Sequence, residues 1–124
     1  MMNTLKILQL EDMEFDVELI QRAVKNEFPH AEFSVVDNKQ DFMLALDTFQ
    51  PNIILSDNNL PSYDAASAIG HLKACNFKIP MIVVSGTMPE ETIMEIIDQG
   101  IFAYILKDDI EELPRLIQRA MGEA

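Results

Sequence analysis

Five short, nearly all-apolar segments recur along the chain, each followed by a longer stretch whose apolar residues fall three and four apart. Apolar runs this short, bounded by turn residues, read as strands, the central ones continuously apolar and so buried on both faces, and the stretches between them as the helices that cover those faces. The strands are Leu5 to Leu10, Ala31 to Val36, Asn52 to Ser56, Met81 to Ser85 and Phe102 to Leu106. The first helix is expected over Glu14 to Phe28, with Val17, Ile20, Ala23, Val24 and Phe28 on one face and Pro29 ending it. The second covers Lys39 to Phe49, with Phe42, Leu46 and Phe49 inward. The third covers Asp64 to Cys75, with Ala65, Ala68, Ile69 and Leu72 inward. Thr87-Met-Pro-Glu90 has the form of a capping box for the fourth helix, which stops at Gly100. The last helix starts near Glu112, turns Leu113, Leu116, Ile117 and Ala120 inward, and tolerates Pro114 because it falls in the first turn. This alternation is that of an α/β fold: a parallel sheet built from right-handed crossovers, with helices on both faces. The usual solution at this length is a five-stranded, flavodoxin-like sheet of order 2-1-3-4-5.

Composition narrows the partners. Residues 1–124 make one domain of common size, and 48% hydrophobic residues can fill one core. No apolar run can span a bilayer, and Met1 to Lys6 lacks the pattern of a signal peptide, so a cytoplasmic protein without membrane contact is expected. A net charge of −12 with scattered basic residues opposes direct nucleic-acid binding. The single cysteine, Cys75, is expected to be a partly buried thiol on a helix, and His30 and His71 are expected to be surface or structural residues.

In such a sheet every strand points its carboxyl end at one rim, and ligands bind there where the strand order reverses, between strands one and three. Glu11 and Asp12 follow strand one, Asp57 follows strand three, Ser85 and Gly86 end strand four, and Lys107 ends strand five. Three converging carboxylates at ~5 Å repel by roughly 3 kcal/mol per pair at an effective dielectric near 20. Lys107 supplies one counter-charge and a divalent cation would supply two. An all-oxygen donor set favours a hard ion, Mg²⁺ first.

At this point the chain resembles the receiver domains of bacterial response regulators, over Leu5 to Met121. Leu10-Glu-Asp12 is similar to the family's acid pair, Leu55-Ser-Asp57-Asn-Asn-Leu-Pro61 to its phosphoacceptor loop, Val84-Ser85-Gly86 to its hydroxyl motif, and Tyr104-Ile-Leu-Lys107 to its switch aromatic and lysine. The resemblance implies a phosphorelay switch in a two-component system. Asp57 would accept the phosphoryl group from a phosphohistidine on a sensor histidine kinase or phosphotransfer protein. Asp12, Asp57 and the Asn59 carbonyl would hold Mg²⁺ (or Mn²⁺), with Glu11 acting through a water. Lys107 and Ser85 would contact the phosphoryl oxygens, Ser85 and Tyr104 would switch the surface of the fourth helix, fifth strand and fifth helix, and Asn59 and Thr87 would tune phosphate lifetime. Self-catalysed phosphorylation and dephosphorylation would be the only enzymology. Asp108 stands where many relatives carry proline, Ser85 where threonine is more frequent, and Ala103 where a polar residue is common. Two other readings are an interaction module without the chemistry and an Asp-nucleophile phosphatase. The latter usually carries a second acid where this chain has Asn59. A phosphorylation-dependent homodimer through the last two helices is compatible with this reading, without a specific sequence feature behind it.

Overall fold

The computed structural model describes residues 4–57 and 63–122. Strand and helix alternate as β1 (Lys6–Leu10), α1 (Glu14–Lys25), β2 (Glu32–Val36), α2 (Lys39–Thr48), β3 (Ile53–Ser56), α3 (Ala65–Ala74), β4 (Met81–Ser85), α4 (Glu90–Gln99) and β5 (Ala103–Leu106), then a 3-10 helix (Lys107–Glu112) and α5 (Leu113–Ala120). All strand pairings are parallel, in the order β2-β1-β3-β4-β5, as the alternation requires. No helix among the described residues is long and apolar enough to cross a membrane.

Because side chains alternate across a strand, each central strand serves two cores. Leu8, Leu10, Ile54, Met81 and Val83 point to one face, where Phe42, Leu46, Ile69, Leu72 and Ile96 of α2, α3 and α4 cover them. Ile7, Ile53, Leu55, Ile82, Val84 and Ile105 point to the other, under Ile20 and Val24 of α1 and Leu113 and Ile117 of α5. Leu116 and Ala120 are half-buried against the same cluster. Within the strands, one polar residue, Gln9, is buried on the α1 side. Its amide oxygen accepts from Gln21 Nε2 at 3.2 Å and its Nε2 donates to the Val17 carbonyl at 3.4 Å, which satisfies it.

Helix ends follow local chemistry, with some departures from the sequence pattern. Asn38 caps α2 by accepting from the Asp41 N–H, and Asp64 caps α3 by accepting from the Ser67 N–H. α1 ends at Lys25 rather than Phe28. The Glu27 and Phe28 N–H groups both donate to the Val24 carbonyl, closing a tight turn ahead of Pro29, which disfavours helical backbone in the residue before it. The Thr87 capping box does not form: the N-cap is Pro89, which has no side-chain acceptor, and Glu90 is the first helical residue. Thr87 lies in the preceding loop, where its carbonyl accepts from Ser85 Oγ at 3.3 Å. Cys75, expected to be partly buried, is exposed at the C-cap of α3, beside His71 on the turn before it.

Gly100 closes α4 at φ 104°, a left-handed conformation that costs a residue with a side chain about 1–2 kcal/mol. A Cβ there would also meet Lys73 Cε at 3.4 Å. Gly100→Ala is therefore expected to lower unfolding stability by ~1 kcal/mol, read from the urea midpoint at unchanged slope. A midpoint equal to wild type would show that α4 ends in another way.

Candidate functional site

The rim is built by continuing the ladder one residue past the strands. The Glu11 N–H donates to the Val36 carbonyl at 2.9 Å and the Asp57 N–H to the Leu10 carbonyl at 3.0 Å. Leu10 pairs with Ser56 in the sheet, so Glu11 and Asp57 emerge side by side from β1 and β3. Both are buried, at 2% and 7% exposure. Lys107 follows the last residue of β5 and reaches back across the rim. Its Nζ lies 2.6 Å from Asp16 Oδ2, 3.0 Å from Asp57 Oδ2 and 3.3 Å from Glu11 Oε1.

The structure thus brings together Glu11, Asp57 and Lys107 of the residues singled out by sequence, and adds Asp16. One carboxylate oxygen from each of Glu11, Asp16 and Asp57 lies within 4.8 Å of the others. Asp16 stands in the first turn of α1, which opens at the same rim. The signal was present as acids at 11, 12, 14 and 16, but an acid in a first helical turn is already accounted for by the helix dipole. Asp12 is exposed, and its side chain makes no hydrogen bond or ion pair among the described residues. With Glu14, Asp37 and Asp41 it borders a hollow beside Glu11. Ser85 is fully buried, with its hydroxyl turned to the Thr87 carbonyl, and Thr87 is exposed. Tyr104 is 36% exposed on the opposite sheet face from Ile105. Asn59 lies outside the described residues. There is no cis peptide bond among the described residues, and the 3-10 helix begins at Lys107 itself.

Glu11 carries the electrostatic cost of the cluster. Its Oε2 accepts from the Asp12 and Met13 N–H groups at 3.2 Å, but its buried Oε1 has no hydrogen-bond partner among the described residues. The approach of Lys107 is an ion pair without hydrogen-bond geometry. Burial raises the Glu11 carboxyl above its ordinary 4.5, and the charge of Asp57 adds to this, while the Met13 N–H and Lys107 oppose it. Burial taken alone depresses the Lys107 ammonium, but the hydrogen bonds it donates to Asp16 and Asp57 and the charges of Asp57 and Glu11 outweigh that and raise it.

At an effective dielectric near 20, Glu11 gains ~5 kcal/mol from Lys107 but loses roughly 3.5 kcal/mol to each of Asp16 and Asp57. An acid whose pKa is higher folded than unfolded binds more protons in the folded state. Stability therefore falls as pH rises from the unfolded carboxyl pKa through the raised folded one. Glu11→Gln is expected to stabilise the cation-free protein by ~1 kcal/mol at pH 7, a gain that vanishes near pH 4. Urea titrations in chelator at the two pH values check this, and a loss of stability at pH 7 would mean that the Lys107 pair outweighs the repulsion.

Residues 7–118 match the family model of the response regulator receiver domain. The transcriptional regulatory protein KdpE of Staphylococcus aureus is 28% identical over 118 residues, covering 92% of this chain and 50% of that protein. CitB of Klebsiella pneumoniae, also a transcriptional regulatory protein, is 28% identical over 107 residues, covering 86% of this chain and 45% of its own length. The chain thus spans half or less of these curated relatives. Among solved structures, the phosphorylated cyanobacterial phytochrome response regulator RcpA superposes with a TM-score of 0.76 at 29% identity, covering 97% of this chain and 91% of that one. The receiver domain of the Francisella response regulator 1452 has the same fold, with a TM-score of 0.83 at 20% identity over 96% of this chain and 98% of that one. The chain belongs to the response regulator receiver domains of two-component signalling systems.

Proposed function

We propose that this chain is a phosphoryl-accepting switch whose acceptor is Asp57. The observation that carries the reading is one ammonium, Lys107, within 3.3 Å of carboxylates from β1, α1 and β3 at a single rim. Asp57 is the acid there that follows the strand central to that rim, with the hydroxyl of Ser85 one strand away. A carboxylate oxygen of Asp57 attacks phosphorus, the bond from phosphorus to the donor's imidazole nitrogen breaks, and an aspartyl phosphate remains. Lys107 neutralises charge on the phosphoryl oxygens. The donor on this reading is a phosphohistidine of a histidine kinase or phosphotransfer protein.

The cluster fits a hard divalent cation. Its donors are all oxygens, the buried Glu11 Oε1 has no hydrogen-bond partner among the described residues, and the exposed Asp12 lines the same hollow as Glu11. Asp12 and Asp57, with Glu11 and the Asn59 carbonyl, would hold Mg²⁺ or Mn²⁺, which supplies further neutralisation of the phosphoryl oxygens. Output follows from the added charge, about −1.5 to −2. The Ser85 hydroxyl leaves the Thr87 carbonyl for a phosphoryl oxygen, the loop before α4 follows, and Tyr104 turns inward from its exposed position. The surface read by a downstream partner is then that of α4, β5 and α5, with Asn59 and Thr87 setting how long the phosphoryl group survives. Residues 1–124 act as one receiver unit in the cytoplasm. Catalysis is confined to the domain's own phosphorylation and dephosphorylation.

The experiment is incubation with acetyl phosphate and Mg²⁺, followed by intact-mass measurement and mapping of the labile site by borohydride trapping. The expected result is the gain of one phosphoryl mass, lost in chelator and located at Asp57. A phosphoryl group on any other residue, or none at millimolar Mg²⁺, overturns the reading.

A further inference from the structure

The shortest contact made by Lys107 is to a residue outside the acid pair and the phosphoacceptor loop. Its Nζ is closer to Asp16, at 2.6 Å, than to Asp57, at 3.0 Å, and both are hydrogen bonds. Asp16 sits on α1 and Asp57 at the end of β3, so the ammonium bridges two separate elements. α1 also packs against α5 and against the 3-10 helix that begins at Lys107, so Asp16 is carried by the element that braces the lysine's own backbone.

An ammonium has three N–H donors on a flexible four-carbon stem, and its direction is undefined until something holds it. Asp57 is a poor sole anchor for a lysine that must act on the phosphoryl group, because Asp57 is the atom donor that reacts. Its carboxylate charge is consumed in the acyl phosphate, and the negative charge moves to the phosphoryl oxygens. Asp16 does not react, so it keeps its carboxylate charge when Asp57 gives up its own.

We propose that Asp16 is a positioning residue for phosphotransfer: it anchors the Lys107 ammonium from the α1 side, which leaves the remaining N–H groups aimed at the incoming phosphoryl oxygens. This rests on the reading of Asp57 as acceptor and extends it to a fourth acid. The competing account is structural: Asp16 in the first turn of α1 is placed well for the helix dipole whatever Lys107 does.

A double-mutant cycle separates the two. Asp16→Asn and Asp16→Glu are made alone and with Lys107→Ala, with thermal melts to check folding. Two quantities are read: the rate of phosphoryl uptake from acetyl phosphate with Mg²⁺, and the affinity for beryllofluoride with Mg²⁺. Asp16→Asn is expected to lower both on the order of tenfold when Lys107 is present, and by less than about twofold in Lys107→Ala. Asp16→Glu, which keeps the charge, is expected to restore most of the loss. Equal losses in the two backgrounds, no loss in the single variant, or failure of Asp16→Glu to restore any activity would each overturn the proposal. A wild-type protein that takes no phosphoryl group at Asp57 would instead sink the acceptor reading on which it rests.

Discussion

Asp57→Asn is expected to take up no measurable phosphoryl group from acetyl phosphate while keeping its fold. The substitution is nearly isosteric. Its side-chain oxygen still accepts from Lys107, which lies 3.0 Å away in wild type, so the ion cluster retains a hydrogen bond at that position. What disappears is the proposed nucleophile. A neutral amide oxygen does not form the mixed anhydride, and the charge that would complete the proposed cation site with Asp12 and Glu11 is gone. The expected loss therefore exceeds a thousandfold, larger than the removal of any positioning contact. A second readout is stability: Mg²⁺ at millimolar concentration should raise the melting temperature of wild type and leave that of Asp57→Asn nearly unchanged. If the variant melts with the same response to Mg²⁺ as wild type, the cation is held without Asp57 and the site has been drawn in the wrong place.

That site was legible to the extent that strand order made it so. Glu11, Asp57 and Lys107 are separated by tens of residues, yet each is the first residue after a strand. In a parallel sheet that is enough to put them on one rim. The strands themselves were readable because those buried on both faces admit almost no polar residues, which is why β4 begins at Met81 and ends at Ser85 as its apolar run does. Asp16 was not legible as part of the site. Its acidity was visible, but its approach to Lys107 depends on how α1 lies against the start of the 3-10 helix, which a run of nearby acids does not encode. Nor was that 3-10 helix itself, since the sequence pattern marks a helix only from about Glu112, and Asp109 departs from helical angles within it. The capping box failed for a different reason. Its spacing is compatible with Thr87 at the N-cap, but Pro89, with φ −60° and ψ 145°, takes that position two residues later. The exposure of Cys75 likewise depends on which side of the last turn of α3 meets α4, and the apolar character of a thiol carries no such direction.

The electrostatics of the rim lead to the largest stability effect. Lys107→Met keeps most of the stem's volume and removes the charge that three carboxylates share, which is the case where taking one partner from a partly buried ion cluster costs most. Lys107 has 15% of its side chain exposed, so water relieves part of the cost. The expected destabilisation is ~3 kcal/mol at pH 7 without divalent cations, or a melting temperature lower by about 10 °C. The sign with pH is fixed by the two shifts. Lys107 titrates higher folded than unfolded, so its contribution is complete below the unfolded lysine pKa and is lost only as pH rises through the raised folded value. The deficit of the variant should therefore hold steady across neutral and mildly alkaline pH. On the acid side it should shrink as Glu11, whose carboxyl is raised by burial, takes up its proton. Divalent cations should also reduce the deficit, because they replace the missing charge among the same oxygens, but they should not restore phosphoryl uptake, which needs an N–H donor on the phosphoryl oxygens. Urea titrations at pH 7 and pH 5, with chelator and with millimolar Mg²⁺, separate these contributions. A variant as stable as wild type in chelator at pH 7 would mean that Glu11, Asp16 and Asp57 do not need Lys107 to stand together, and the charge argument for the whole rim would fail with it.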